Sequence, residues 1–318
     1  MSKNNHKLKI VILVVVAFLA GTFATQAVQY TTKQQKYSLL AKRVQIDNPN
    51  DQIVNFINLR NELESYATSL EIEPEIDSVS IYFEYLPTGV SVSVNDDNES
   101  IGASLVKVPF VMTLYKLAQD GKIDLDAKVS LKKEMLNSDY GTLYQKGAGY
   151  EITLREAAKL TLKDSDNTAV LLIANQIDKV NKNDGGANQV FNYLDMEFSV
   201  DDEERVIIGP RSYSSIMKCL YVACYNSKEH AQEILTYLAE SSFDNRLTSL
   251  LPEDIKVAHK IGTFSNEYQS DCGIVYVPER NYVLCVMVKG DDPAASRTIA
   301  VISKKVHSFV NEASNSFN

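Results

Sequence analysis

Apolar residues recur along this chain with two periods, and the switches between them mark its elements. From Asp51 the positions Ile53, Phe56, Ile57, Leu59, Leu63, Tyr66 and Leu70 fall mostly three or four apart, which predicts an amphipathic helix. Val79 to Tyr85 and Val90 to Val94 alternate with a period of two around a Pro87-Thr88-Gly89 turn, the pattern of a β-hairpin. The stretch IGASLVKVPFVMTLYKLAQDGKI turns helical from about Ala103 and ends near Gly121. Glu151 to Asn175 gives two helical pieces, interrupted at Lys163 to Asn167 by residue types that favour turns and caps. Residues 181–210 are polar and acidic and read as surface loops around one short helix, and Ser212 to Leu238 reads as helix. The end of the chain offers three strands, Ile255 to Thr263, Cys272 to Val277 and Tyr282 to Val288, with Pro278 to Asn281 as the last turn. A helix follows from about Pro293 to Val310. Two strands early, three late and helices between predict an α/β layered domain. Its five-stranded antiparallel sheet is built from both ends of the chain and flanked by helices, with an all-helical subdomain (about 104–250) inserted between strands.

The extreme N-terminus follows neither period. Lys3, Lys7 and Lys9 precede an uncharged run from Ile10 to Thr32, about 19 residues of which are apolar enough to reach across a bilayer. Ala24 to Ala27 ends in small residues that suit a cleavage site. A cleaved export signal and an uncleaved anchor both fit, and both place the remainder outside the cytoplasm, secreted or held to the membrane by this one segment. The organisation read from the chain is thus a signal or anchor at 1–29, a polar stalk at 30–50 and a folded domain at 51–318.

Charge and cysteine usage narrow the functions that domain can have. With a formal net charge of -9, a pI of about 5.1 and no basic stripe in the folded part, the chain is not expected to bind nucleic acid. His6, His230, His259 and His307 are scattered without metal-ligand spacing, so neither a metal nor an organic cofactor is expected. Cys219 and Cys224 lie five apart in a helical stretch, where side chains diverge. Cys272 and Cys285 sit on two strands that can bring them opposite one another, but buried thiols are the simpler expectation for all four.

Three short motifs carry the chemistry. In ASLVK, Ser104 and Lys107 stand three apart at a helix start and so share a face. The hydroxyl there lies near unpaired backbone N–H groups, and a lysine stripped of water has a lowered pKa and becomes a base. Ser165, Asp166 and Asn167 form an SDN sequence at the break between two helices, where capping is the ordinary role for such residues. In HKIGT, Lys260 and Gly262 lie on an apolar strand, where a glycine often marks the close approach of a ligand or another backbone. Singly, each motif is commonplace; an SxxK arises by chance about once in a chain of this size.

Together and in this order, ASLVK, SDN and KIGT resemble the signature SxxK, SDN and KTG of the penicillin-recognising serine hydrolases, the class A β-lactamases and their penicillin-binding relatives. The resemblance extends over roughly residues 75–314. It implies that Ser104 is acylated, that Lys107 is its base, and that Ser165 relays a proton to the leaving nitrogen. It further implies that Asn167 orients Lys107 and the substrate amide, with Asp166 pinning the turn, and that Lys260 supports Ser165 and the substrate carboxylate. The backbone N–H groups of Ser104 and Thr263 would form an oxyanion hole, with Gly262 letting substrate lie against the strand. Arg246 would steady the carboxylate and Tyr140 would wall the cleft.

Two departures bear on substrate. Ile261 replaces the threonine of KTG and removes one hydroxyl donor, unless Thr263 on the same strand face takes its place. The family's water-activating Glu-x-x-x-Asn has no match; Glu203 and Glu204 fall near its place but within a dense acidic run. The implied activity is therefore that of a penicillin-interacting acyl-hydrolase acting on D-Ala-D-Ala-type cell-wall peptides, with carboxypeptidase or transpeptidase character. A β-lactamase hydrolysing β-lactams and a catalytically weak domain that binds or senses wall peptides are the alternatives.

Overall fold

A computed structural model describes residues 21–22, 38–39, 55–70, 72–181 and 186–312. Helix α1 (Ile57–Leu70) leads into strands β1 (Ile76–Tyr85), β2 (Val90–Val94) and β3 (Ser100–Ile101), a single 3₁₀ turn (Ala103–Val106) and α2 (Lys107–Gln119). The middle of the chain supplies β4 (Lys128–Ser130), β5 (Glu151–Thr153), α3 (Leu154–Lys163), α4 (Asn167–Asn181), α5 (Gly186–Tyr193), β6 (Ser199–Val200) and β7 (Val206–Ile208). It continues with α6 (Pro210–Val222) and α7 (Lys228–Ala239), before β8 (Lys256–Phe264), β9 (Tyr268–Tyr276), β10 (Tyr282–Gly290) and α8 (Asp292–Glu312) close the fold. The main sheet runs β2-β1-β10-β9-β8, antiparallel throughout, so the two early strands join the three late ones as the alternation predicts.

The period of two sorts the sheet's side chains into two cores. Along β10, Leu284, Val286 and Val288 point to one face, where they meet Leu59 and Leu63 of α1 and Ile299, Ile302 and Val306 of α8. Val283, Cys285 and Met287 point to the other, toward α2, α6 and α7. At about 1.5–3 kcal/mol for each large apolar side chain removed from water, these two cores are the main support of the site's geometry. Helix α2 is buried nearly all round, through Val108, Val111, Met112, Leu114, Tyr115 and Leu117, so the residues at its start are held on a rigid element.

Several details depart from the sequence reading. The stretch Ser212 to Leu238 is two helices, because Ala223 adopts the left-handed conformation (φ 54°, ψ 49°) and the Cys224 N–H turns back to the Cys219 carbonyl at 2.9 Å. That reversal brings Cys219 and Cys224 together as a disulfide (Cα–Cα 5.0 Å), where a continuous helix would have splayed them. Cys272 and Cys285 are cross-strand partners on β9 and β10 and are also bonded, so the expectation of free thiols is corrected at both pairs. The acidic segment holds a small hairpin, β6–β7, that extends to β3.

The apolar N-terminal segment lies outside the described residues except for Gly21 and Thr22, and among the described residues no helix is long and apolar enough to cross a membrane. Of the expected stalk, Ser38 and Leu39 are described. Leu39 is only 3% exposed and sits in the helical-side core. Its N–H donates to Gln232 Oε1 and its carbonyl accepts from the Tyr276 hydroxyl, both at 2.9 Å. At Leu39 the chain is therefore fastened to α7 and β9. Leu39→Ala in a protein spanning residues 30–318 is expected to cost about 2 kcal/mol, read by calorimetry as a fall in Tm of roughly 4–8 °C; an unchanged Tm would mean that the contact contributes nothing.

Candidate active site

Ser104 is delivered by a strained turn. The Gly102 N–H donates to the Val206 carbonyl of β7 at 2.8 Å, and Ala103 then takes a φ of 43°, a region L-residues rarely occupy. The next residues wind as a 3₁₀ turn rather than the α-helix expected from the sequence, with the Lys107 N–H bonded to the Ser104 carbonyl. Side chains three apart eclipse in such a turn, so Ser104 and Lys107 still share a face. Leu105, buried, fixes the turn from below, and its carbonyl accepts from the Tyr213 hydroxyl at 3.0 Å.

The break between α3 and α4 meets this turn from the side. Ser165 has a φ of 54°, and its neighbour Asp166 is buried, accepting from the Leu143 N–H and the Ala169 N–H, both at 2.9 Å. The Asn167 N–H donates to the Tyr140 carbonyl at 3.1 Å, and Gly141 (φ 83°) lies so close that a Cβ there would stand 2.0 Å from Asp166 Oδ2. Asp166 thus fastens the Tyr140 loop to the SDN turn.

Lys107, 4% exposed, points its ammonium into this corner. It donates to the Ser165 carbonyl (2.5 Å), Ser165 Oγ (3.1 Å) and Asn167 Oδ1 (2.5 Å), which uses its three protons. Burial lowers its pKa to about 8 against the opposing pull of Asp166. The Asn167 amide is oriented in turn by Asn137, whose Oδ1 accepts from Nδ2 at 3.1 Å.

Strand β8 closes the corner. Lys260, 1% exposed, donates to Ser165 Oγ at 2.9 Å and to the Ile261 carbonyl at 3.3 Å. Burial drives its pKa well below the ordinary lysine range, helped by repulsion from Lys107 and Arg246 and opposed by Asp271. Both lone pairs of the Ser165 hydroxyl therefore receive lysine protons, which leaves its own O–H as a remaining donor. A Cβ on Gly262 would meet Ser270 Oγ at 2.4 Å, Leu105 Cγ at 3.1 Å and the Gly102 carbonyl at 3.2 Å, so glycine is what lets β8 lie against the Ser104 turn.

Arg246 is buried behind β8 rather than open to the cleft. Nη1 donates to the Gly262 and Ser270 carbonyls (2.8 and 2.9 Å), Nη2 to Thr263 Oγ1 (2.8 Å), Gln269 Oε1 (2.7 Å) and Asp292 Oδ1 (3.3 Å), and Nε to Ser296 Oγ (3.1 Å). Its reach toward a ligand runs through Thr263, whose hydroxyl accepts from Arg246 and so turns its own proton elsewhere. Ile261 is buried and offers no donor. Arg246→Ala is expected to leave the two strand carbonyls without this donor and to reduce acylation by carboxylate-bearing ligands roughly tenfold or more, mainly through affinity; a saturation curve of acylation rate against ligand concentration separates the two terms.

Glu203 and Glu204 lie exposed at the tip of the β6–β7 hairpin. Glu203 pairs with Arg205 at 3.0 Å, and Arg205 in turn lies over the Phe264 ring at 4.6 Å. What the hairpin presents to Gly102, two residues before Ser104, is the Val206 carbonyl and Ile208. The sequence reading missed Asn137, Gly141 and Phe243. Phe243 lies with its ring 5.7 Å from Lys260 Nζ and 6.5 Å from the Tyr140 ring, a position no local pattern announces.

This sheet, built from both chain ends with a helical insertion on one face, is the fold of the class A β-lactamases and penicillin-binding serine hydrolases. The chain belongs to the β-lactamase enzyme family, whose model matches residues 61–310. It is similar in structure to a mutant of PBP-A in its acyl-enzyme complex with penicillin G, with TM-score 0.72 and 22% identity over 83% of this chain and 100% of that one. It is similar also to a β-lactamase from Sphaerobacter thermophilus (TM-score 0.70, 21% identity, 81% and 98% covered). An ancestral class A β-lactamase, GNCA, gives TM-score 0.69 and 20% identity over 79% of this chain and 99% of that one.

Proposed function

We propose that this protein is an exported serine acyl-hydrolase of penicillin-binding character, acting on D-Ala-D-Ala-type cell-wall peptides and held near the membrane by its N-terminal segment. The observation that carries the reading is the convergence of two buried lysines on the Ser165 hydroxyl, with β8 packed through Gly262 against the turn that carries Ser104. Neutral Lys107 takes the Ser104 proton as Oγ attacks the carbonyl between the two D-Ala residues. The backbone N–H groups of Ser104 and Thr263 hold the oxyanion that forms. When the C–N bond breaks, Ser165 gives its proton to the leaving nitrogen and is reprotonated by Lys107 across 3.1 Å. D-Ala departs, and the ester on Ser104 passes to water or an amine, with Lys107 neutral again as base. Lys260 and the Thr263 hydroxyl hold the terminal carboxylate, Thr263 supplying the donor that Ile261 lacks.

The acidic run is unsuited to activating a water at the ester, since Glu203 pairs with Arg205 at the hairpin tip. An acyl-enzyme with a β-lactam should therefore persist, which favours the peptidase reading over the β-lactamase. Ile261 is the feature that favours a weakly catalytic wall-peptide sensor. Incubation with an acyl-D-Ala-D-Ala peptide and, separately, with benzylpenicillin distinguishes them. Release of D-Ala that requires Ser104, with stoichiometric rather than catalytic consumption of penicillin, is the expected result. Rapid penicillin turnover without D-Ala release would replace the reading with the β-lactamase, and neither reaction would leave the sensor.

A further inference from the structure

The geometry points to Phe243 as a size filter for the residue that leaves. The inference rests on the reading above, in which a terminal carboxylate lies in the corner of Lys260, Ser165 and Thr263. The Phe243 ring centroid stands 5.7 Å from the Lys260 ammonium at that corner and 6.5 Å from the centroid of the Tyr140 ring. The α-carbon of the leaving residue is one bond from its carboxylate, so any substituent it carries is placed against this ring.

The loop that carries the ring is fastened on both sides of it. One residue before it, the Ser242 N–H donates to the Lys163 carbonyl at 3.0 Å, and the Ser242 hydroxyl bonds Asp164. These bonds clip the loop to the end of α3, just ahead of Ser165. A few residues after it, the Leu247 N–H is bound by the buried Asp271 carboxylate at 3.1 Å, and Arg246 is locked under β8. The loop bearing Phe243 is thus fastened on one side to the end of α3 and on the other to strands β8 and β9. An aromatic wall on a fastened loop beside the carboxylate accepts hydrogen or methyl on the leaving residue and excludes branched or longer groups. The selected substrate class is an acyl-D-Ala peptide ending in glycine or D-Ala.

The test measures kcat/KM for acyl-D-Ala peptides ending in D-Ala and in D-Leu, with wild type, Phe243→Ala and Phe243→Leu. The wild type is expected to prefer D-Ala by roughly 100-fold, the discrimination a rigid apolar pocket provides against extra methylenes. Phe243→Ala should reduce that ratio to about tenfold or less, and Phe243→Leu, which keeps apolar bulk for folding, should fall between. A ratio unchanged in both variants overturns the filter while the proposed activity stands. A wild type that releases neither terminal residue, and gives no Ser104 adduct with benzylpenicillin, overturns the activity and the filter together.

Discussion

Replacing Lys107 with alanine is expected to slow acylation of Ser104 by roughly 10²–10⁴-fold, the usual contribution of a positioned general base. The ammonium sits where three acceptors fix it, and burial brings its pKa to about 8. A lysine with that pKa is neutral in about a tenth of molecules at pH 7, whereas one at its ordinary value is neutral in well under a thousandth. The sign of the pH dependence follows. Acylation by the wild type should rise as pH climbs toward about 8, because the neutral form is the base. Lys260 is also held well below the ordinary lysine range by burial, with Lys107 next among the causes. Since both lysines bond one hydroxyl, the two apparent values belong to the pair. Stopped-flow acylation across pH 5.5–10.5 reads the profile. A flat profile, or a Lys107→Ala variant within a few-fold of wild type, would remove Lys107 from the role of base.

The second large effect is structural. Asp166→Ala is expected to destabilise the protein by about 2–5 kcal/mol, because it leaves the buried Leu143 and Ala169 N–H groups without their acceptor. It also removes the anion that raises the Lys107 pKa, so whatever folded protein remains should show its rising limb at lower pH than wild type. Urea denaturation measures the first consequence and the acylation profile the second. A variant with wild-type stability would mean that the turn is held by its backbone alone.

Much of this was legible in the chain. The alternating runs from Val79 to Val94 and from Ile255 to Val288 specify a two-sided sheet because one period sorts both cores. The turn at Ser165 was visible because Asp, Ser and Asn compete with helical hydrogen bonds. What stayed hidden has physical reasons. Spacing of three is common to α and 3₁₀ turns, so the conformation at Ser104 could not be read from Ser104 and Lys107 alone. The left-handed Ala223 carries no glycine or proline to announce it, and with it went the Cys219–Cys224 bond. The roles of Leu39, Asn137 and Phe243 depend on partners far away in sequence; for Leu39 and Tyr276 the separation is 237 residues. Arg246 is singled out by its position in the sequence, whereas its burial and its bond to Thr263 are properties of packing.

The proposed function has Ser104 acylated and its acyl group removed slowly. Intact-mass analysis of residues 30–318 over time with benzylpenicillin, alongside Ser104→Ala, tests both halves at once. The expected result is a single adduct that persists for minutes or longer and is absent from the variant. An adduct that vanishes within seconds as hydrolysed penicillin accumulates, or an equal adduct on Ser104→Ala, would contradict it.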